Sequence, residues 1–239
     1  MKIINLGSGS RGNATLIKIN SGYILIDCGL RYFEDRLKEQ NILLEEIKYL
    51  FVTHNHRDHI GNILKFNPEI IYTGEHTIEQ AHNIVECFKT YKFDEFEVFV
   101  LKTSHDAPDS LGFIFKFGDS ELVYMTDTGK IPAKSERFMK NKRFYILESN
   151  YEEEILMASS RPLILKKRIK GTHGHLSNVQ ANLYLKKLIG DNTLGFVLAH
   201  ISEECNNDEK IIENLNDFNV QYKGFLRQWE PTVIVYDED

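Results

Sequence analysis

Short β-branched runs open the chain and glycines punctuate them. Ile3 to Leu6, Ala14 to Ile19 and Tyr23 to Ile26 are separated by Gly7, Gly9, Gly12 and Gly22, a pattern that predicts an opening β-meander. Arg31 to Gln40 predicts a helix. Tyr49 to Thr53 predicts a buried strand ended by a polar burst, and Asp58 to Phe66 carries apolar residues at helical spacing. Val98 to Leu101, Gly112 to Phe117, Leu122 to Met125, Phe144 to Leu147 and Leu194 to Ala199 predict further strands, each followed by polar residues. Ser177-Asn-Val-Gln180 fits a capping box, opening a helix on which Val179, Leu183, Leu185 and Leu188 are expected to share one broad face.

Strands and helices interleave in both halves without a sustained β-α-β period, which predicts mixed sheets covered by helices in a layered α/β sandwich. No repeat, low-complexity tract or linker divides the 239 residues, so 1–239 reads as one domain. Apolar residues at 42% and charged residues at 27% argue against a disordered chain. No run reaches the roughly 18 apolar residues of a membrane span, and the opening MKIINLGSGS lacks the apolar stretch of a secretory leader. Cys28, Cys87 and Cys205 are odd in number and widely spaced, which argues against a disulfide framework or a thiolate zinc site. The expectation is a cytoplasmic protein with no membrane partner; nothing in the sequence sets an oligomeric state.

A net charge of −6 argues against non-specific binding to nucleic acid, which needs aligned lysines and arginines to release counterions. An average can hide a local patch. Lys166, Lys167, Arg168 and Lys170 form the densest basic run, close to His173 and His175. Such a run is ordinarily a solvated face; beside histidines, Lys167 and Arg168 become candidate phosphate contacts.

The polar burst reads Thr53-His54-Asn55-His56-Arg57-Asp58-His59. In an extended loop His54 and His56 project to the same side and can share one cation, whereas the adjacent Asp58 and His59 diverge and suit a neighbouring ion. Three histidines and an aspartate at this spacing are poorly explained as a helix-capping loop. His105, Asp127 and His200 follow later strands and extend the donor set, although each alone could be a turn or surface residue. Cys28 is expected to face away from Asp27 into apolar surroundings.

Taken in order, Asp27 in Leu-Ile-Asp-Cys-Gly, the His-x-His-x-Asp-His stretch, His105, Asp127 and His200 resemble the five motifs of the metallo-β-lactamase superfamily, over almost the whole chain. The resemblance implies an αββα sandwich of two mixed β-sheets flanked by helices. It also implies two divalent ions, one on His54, His56 and His105, the other on Asp58, His59 and His200, with Asp127 bridging and Asp27 orienting the histidine loop from behind. Nitrogen and oxygen donors of this kind suit zinc or manganese. Four further segments, Gly7 to Asn13, Glu148-Ser-Asn150, Gly174 to Asn178 and Leu198 to Glu204, are similar to the YycJ/WalJ branch, whose members are described as exonucleases that shorten DNA from a 5′ end. The Gly-His-Leu-Ser segment also resembles a histidine motif of RNase J-type nucleases. Tyr151 departs from the branch, where a histidine is expected after Glu-Ser-Asn.

The function so implied is hydrolysis of phosphodiester bonds in nucleic acid, DNA in the first instance, from the 5′ end. Asp58 would orient the attacking water, and His175 would bind phosphate or protonate the leaving oxygen. Asn150 and Ser177 are candidate substrate contacts, Ser177 reading as a helix cap rather than a catalyst. Two other classes stay open at this stage: a hydrolase of a small phosphodiester, thioester, lactone or β-lactam, and a non-catalytic metal-binding regulatory module.

Overall fold

Neighbouring residues of the first strands belong to different apolar layers. In the computed structural model, which describes residues 1–79 and 81–236, β1 (Lys2–Gly7), β2 (Ala14–Ile19) and β3 (Gly22–Ile26) form the expected antiparallel meander. Ile3, Ile17, Ile24 and Ile26 join the layer between two sheets, while Ile4, Leu6, Leu16 and Leu25 pack on Phe33 and Leu37 of α1 (Phe33–Glu39). Both faces are covered, so these strands read as continuous apolar runs rather than alternating ones.

Parallel to β3 runs β4 (Ile47–Phe51), followed by α2 (Arg57–Ile60), β5 (Ile71–Thr73) and β6 (Asn83–Ile84). The second sheet takes β7 (Thr90–Lys92), β8 (Glu97–Lys102), β9 (Leu111–Phe117), β10 (Ser120–Met125), β11 (Phe144–Glu148), β12 (Gly195–Ala199) and β13 (Tyr222–Phe225). β14 (Thr232–Val235) returns to pair with β1. The orders are β14-β1-β2-β3-β4-β5-β6 and β13-β12-β11-β10-β9-β8-β7, and both sheets are mixed. Val98, Val100, Phe113, Phe115, Phe144 and Ile146 meet the first sheet across the central layer. On the outer face of the second sheet, Val123, Tyr145, Leu147 and Phe196 pack with α3 (Ala133–Met139), α6 (Asn178–Leu188) and α7 (Asp208–Leu215). The αββα sandwich is the expected one.

Two local expectations fail for identifiable reasons. The helix expected over Asp58 to Phe66 stops at Ile60, because the Asn62 side chain donates to the carbonyls of Cys28 and Leu30 at 2.8 and 2.9 Å; only a 3₁₀ turn, Ile63–Lys65, follows. On α6 the buried stripe is Ala181, Leu185 and Leu188, whereas Val179 and Leu183 are more than half exposed. At 3.6 residues per turn those two lie on the far side. The remaining helices, α4 (Glu153–Ala158) and α5 (Leu163–Lys170), form a rim above the strand ends and share a small apolar cluster with Tyr151. Among the described residues, no helix is long and apolar enough to cross a membrane.

Candidate metal centre

Every implied metal donor sits in a segment that immediately follows a strand. Asp27 follows β3, His54 to His59 follow β4, His105 follows β8, Asp127 follows β10 and His200 follows β12. Asp27, Asp127 and His200 adopt left-handed backbone, with φ of 59°, 52° and 54°. Non-glycine residues take that conformation at a cost, and here it turns each side chain out of its strand direction.

The histidines are oriented in a common way. His54 Nδ1 lies 3.0 Å from Thr53 Oγ1, His59 Nδ1 2.8 Å from Asp27 Oδ2, His105 Nδ1 3.1 Å from the Gly174 carbonyl, and His200 Nδ1 3.0 Å from Glu148 Oε1. With Nδ1 occupied, Nε2 of each is left for another partner, as in metal sites whose ligands are held by an outer hydrogen bond. His56 presents Nδ1 instead, 3.2 Å from His105 Nε2. Asp27 also accepts from the Thr53 amide at 2.8 Å, so one buried carboxylate fixes both the loop backbone and a ring.

Four overlapping groups of donors result among the described residues, including Asp127 with Glu148, His175 and His200, and His54 with His59 and Asp127. Ligand atoms of His54, His56 and His105 lie within 4.8 Å of one another, and so do those of Asp58, His59 and His200. Asp127 stands between them, with Oδ2 3.3 Å from His59 Nε2 and Oδ1 3.8 Å from His105 Nε2. His54 Nε2, His200 Nε2 and Asp127 Oδ2 are buried and make no hydrogen bond. Each such orphan would ordinarily cost about 1–3 kcal/mol; three of them within these donor groups fit divalent cations.

The electrostatics divide along the same line. Burial, reinforced by the neighbouring His59, pushes His54 well below the usual histidine range, and burial also lowers His105. Both are therefore neutral, the ligating form. Burial disfavours charge on His59 too, yet Asp27 and then Asp127 outweigh it and raise this histidine well above its ordinary value. His200 is raised to about 10 against its burial, chiefly by Asp127 and its bonds to Asp58 and Glu148. The carboxylate-rich half of the centre thus draws positive charge.

Above the donors is a cavity of about 220 Å³, lined among others by Ser10, Asp106, Arg161, Arg168 and His175. His175 Nδ1 is 2.8 Å from Glu148 Oε1. Arg168 reaches the cavity but pairs with Asp106, and Lys167 is exposed on α5 without lining it. Asn150 is buried and donates to the His200 carbonyl at 2.7 Å, so it supports a donor from behind. Ser177 caps α6, its Oγ accepting from the Gln180 amide at 3.2 Å. Tyr151 is 2% exposed, in the apolar cluster with Leu156, Ile169 and Cys205. Cys28 is buried in apolar surroundings, as expected.

Glu148 was absent from the predicted site. Fully buried at the end of β11, it bonds His175 and His200 and accepts from the amides of Thr128 and Leu176, both at 3.0 Å. The sequence signal is an acid closing an otherwise apolar strand, Phe-Tyr-Ile-Leu-Glu. Asn13, whose Nδ2 is 3.1 Å from His59 Nε2, was likewise unassigned.

Sandwich, strand-end donors and orphaned ligand atoms define a metal-dependent hydrolase, and the chain belongs to the metallo-beta-lactamase superfamily, whose family model matches residues 7–136. More narrowly, it is similar to the exodeoxyribonuclease WalJ of Streptococcus pneumoniae, at 30% identity over 220 residues that cover 84% of this chain and 81% of that one. It is 28% identical to the exodeoxyribonuclease YycJ of Bacillus anthracis over 92% of this chain and 89% of the relative. The metallo-beta-lactamase fold protein YhfI of Bacillus subtilis superposes with a TM-score of 0.74 at 18% identity, covering 97% and 98% of the two chains, a likeness of fold alone.

Proposed function

We propose that this chain is a dinuclear hydrolase that cleaves phosphodiester bonds in DNA, acting as an exonuclease from the 5′ end. The observation that carries the reading is the set of seven donors, His54, His56, Asp58, His59, His105, Asp127 and His200, gathered from four strand ends with three buried ligand atoms unpaired. The exodeoxyribonuclease names of relatives matched over most of their length support the choice of substrate.

In this reading His54, His56 and His105 would hold one ion and Asp58, His59 and His200 the other, with Asp127 placed to serve either. Zinc or manganese suits these donors. Such ions supply Lewis acidity toward phosphoryl oxygen and make water a nucleophile at neutral pH. Asp58, a quarter exposed at the cavity, accepts a hydrogen bond from the attacking water and orients it. His175 protonates the departing 3′ oxygen. Glu148 holds its ring through Nδ1, leaving the other nitrogen to deliver the proton. Arg168, loosened from Asp106, supplies a cationic contact for phosphate at the mouth.

The test is digestion of 5′-phosphorylated duplex DNA with added manganese or zinc. Mononucleotides are expected from the wild-type protein and not from Asp127→Ala. A wild-type protein that binds metal yet leaves every DNA and RNA substrate intact overturns the reading.

A further inference from the structure

The basic run on α5 is largely committed to other groups. Lys166 Nζ donates to the carbonyls of Met157 and Ser159, both at 2.7 Å, while Arg168 pairs with Asp106 and Lys170 with Glu153. Arg161, also at the cavity, meets Glu204 at 2.9 Å. A polyanion arriving along this rim would have to displace carboxylates.

A second trough, of about 650 Å³, starts at Asp58 and Ser10, which line both it and the metal cavity. Arg11, Arg31 and Arg57 line it, and Asp58 is the single acid among its lining residues. Arg31 and Arg57 are exposed and make no ion pair among the described residues; Arg11 meets Glu203 at 3.1 Å with its side chain 64% exposed. Tyr32 lies on the same surface, 60% exposed, in left-handed backbone at φ 59° and outside every apolar cluster. The Arg31 guanidinium sits 4.8 Å from its ring centroid. An exposed ring backed by a guanidinium is a stacking platform for a base.

We propose that this trough carries the nucleic-acid strand beyond the reacting phosphodiester, with phosphates on Arg11, Arg31 and Arg57 and one unpaired base stacked on Tyr32. The assignment rests on the nuclease reading above and gives its substrate a path. It also explains the Gly7 to Asn13 loop. A Cβ on Gly12 would come within 2.4 Å of Leu30 Cα and one on Gly9 within 2.5 Å of Gln228 Oε1, while the Arg11 amide donates to that same Oε1 at 2.8 Å. The loop is thereby pressed into place, with Ser10 and Arg11 fixed where the two spaces join.

The experiment measures affinity for a short 5′-phosphorylated oligothymidylate as a function of salt, its cleavage, and hydrolysis of bis(p-nitrophenyl) phosphate, which needs only the metal cavity. Arg31→Ala/Arg57→Ala is expected to lower the salt slope by about 1.4, at ~0.7 per phosphate on a single strand. Its kcat/KM should fall at least about tenfold further on the oligonucleotide than on the reporter. Tyr32→Ala should weaken binding roughly 5- to 150-fold, and Tyr32→Phe should restore it. An unchanged slope in the double variant, with Tyr32→Ala binding like wild type while the wild-type protein still digests DNA, overturns the trough and leaves the nuclease. Turnover of the reporter with no oligonucleotide cleaved overturns both.

Discussion

Asp27 Oδ2 lies 2.8 Å from His59 Nδ1, and both side chains are fully buried. The same carboxylate accepts from the Thr53 amide and hydroxyl. Asp27→Asn preserves volume but puts an amide nitrogen where one of those acceptors stood, disturbing the ring that presents His59 Nε2. Metal affinity is expected to fall about 10- to 100-fold, the usual penalty for losing a partner of this kind. Competition against a chromogenic chelator reads it directly, and wild-type affinity in the variant would mean that Asp27 serves the fold alone.

His175 and Glu148 make a separable prediction. If the imidazole protonates the leaving oxygen, His175→Ala slows DNA cleavage about 10²- to 10⁴-fold. The p-nitrophenyl ester of thymidine 5′-phosphate expels a phenolate that needs no proton, so its hydrolysis should fall far less. Equal losses on the two substrates would remove the general-acid role and leave His175 as a phosphate contact.

What could be seen in the sequence follows from how local each feature is. His54, His56, Asp58 and His59 fall within six consecutive positions, so their spacing alone announces chemistry. Glu148 is different: its importance comes from His175, His200, Thr128 and Leu176, all distant in sequence, and an acid at a strand end looks the same whether buried or wet. The broken helix after Ile60 has the same cause, because Asn62 is captured by carbonyls of a loop some thirty residues earlier. β14 is not legible locally, since its partner is β1, at the other end of the chain, and two of its four residues are markedly exposed. The basic run on α5 stood out in sequence, yet Arg31 and Arg57, scattered along the chain, are the less encumbered cations.

The unpaired His54 Nε2, His200 Nε2 and Asp127 Oδ2 predict that metal stabilises the fold. Binding to the native state alone contributes about 2.7 kcal/mol at a hundredfold excess over Kd. Melting of chelator-treated protein should therefore shift upward on titration with zinc or manganese, and Asp127→Ala should lose most of that shift. A flat melting temperature across both titrations, with no metal retained by mass spectrometry, would count against the centre.

Tyr145 offers a test of the sandwich away from the metals. Its hydroxyl accepts from the Lys142 amide at 2.8 Å and lies 2.8 and 2.9 Å from the carbonyls of Met139 and Leu188, tying β11 to the ends of α3 and α6. Tyr145→Phe removes the acceptor of the Lys142 amide and the donor to a carbonyl, although the Leu188 carbonyl keeps the Asn141 amide at 2.7 Å, and should destabilise by about 1–3 kcal/mol in urea titrations. Burial pushes the phenol up to about 12, above its ordinary value near 10, so the folded state favours the neutral form. The stabilisation is then complete below pH 10 and disappears as pH rises through about 12. The gap between wild type and variant should accordingly be constant up to pH 10 and close above it. A gap that stays constant across the whole alkaline range would show that the hydroxyl is not held in the buried bonds described.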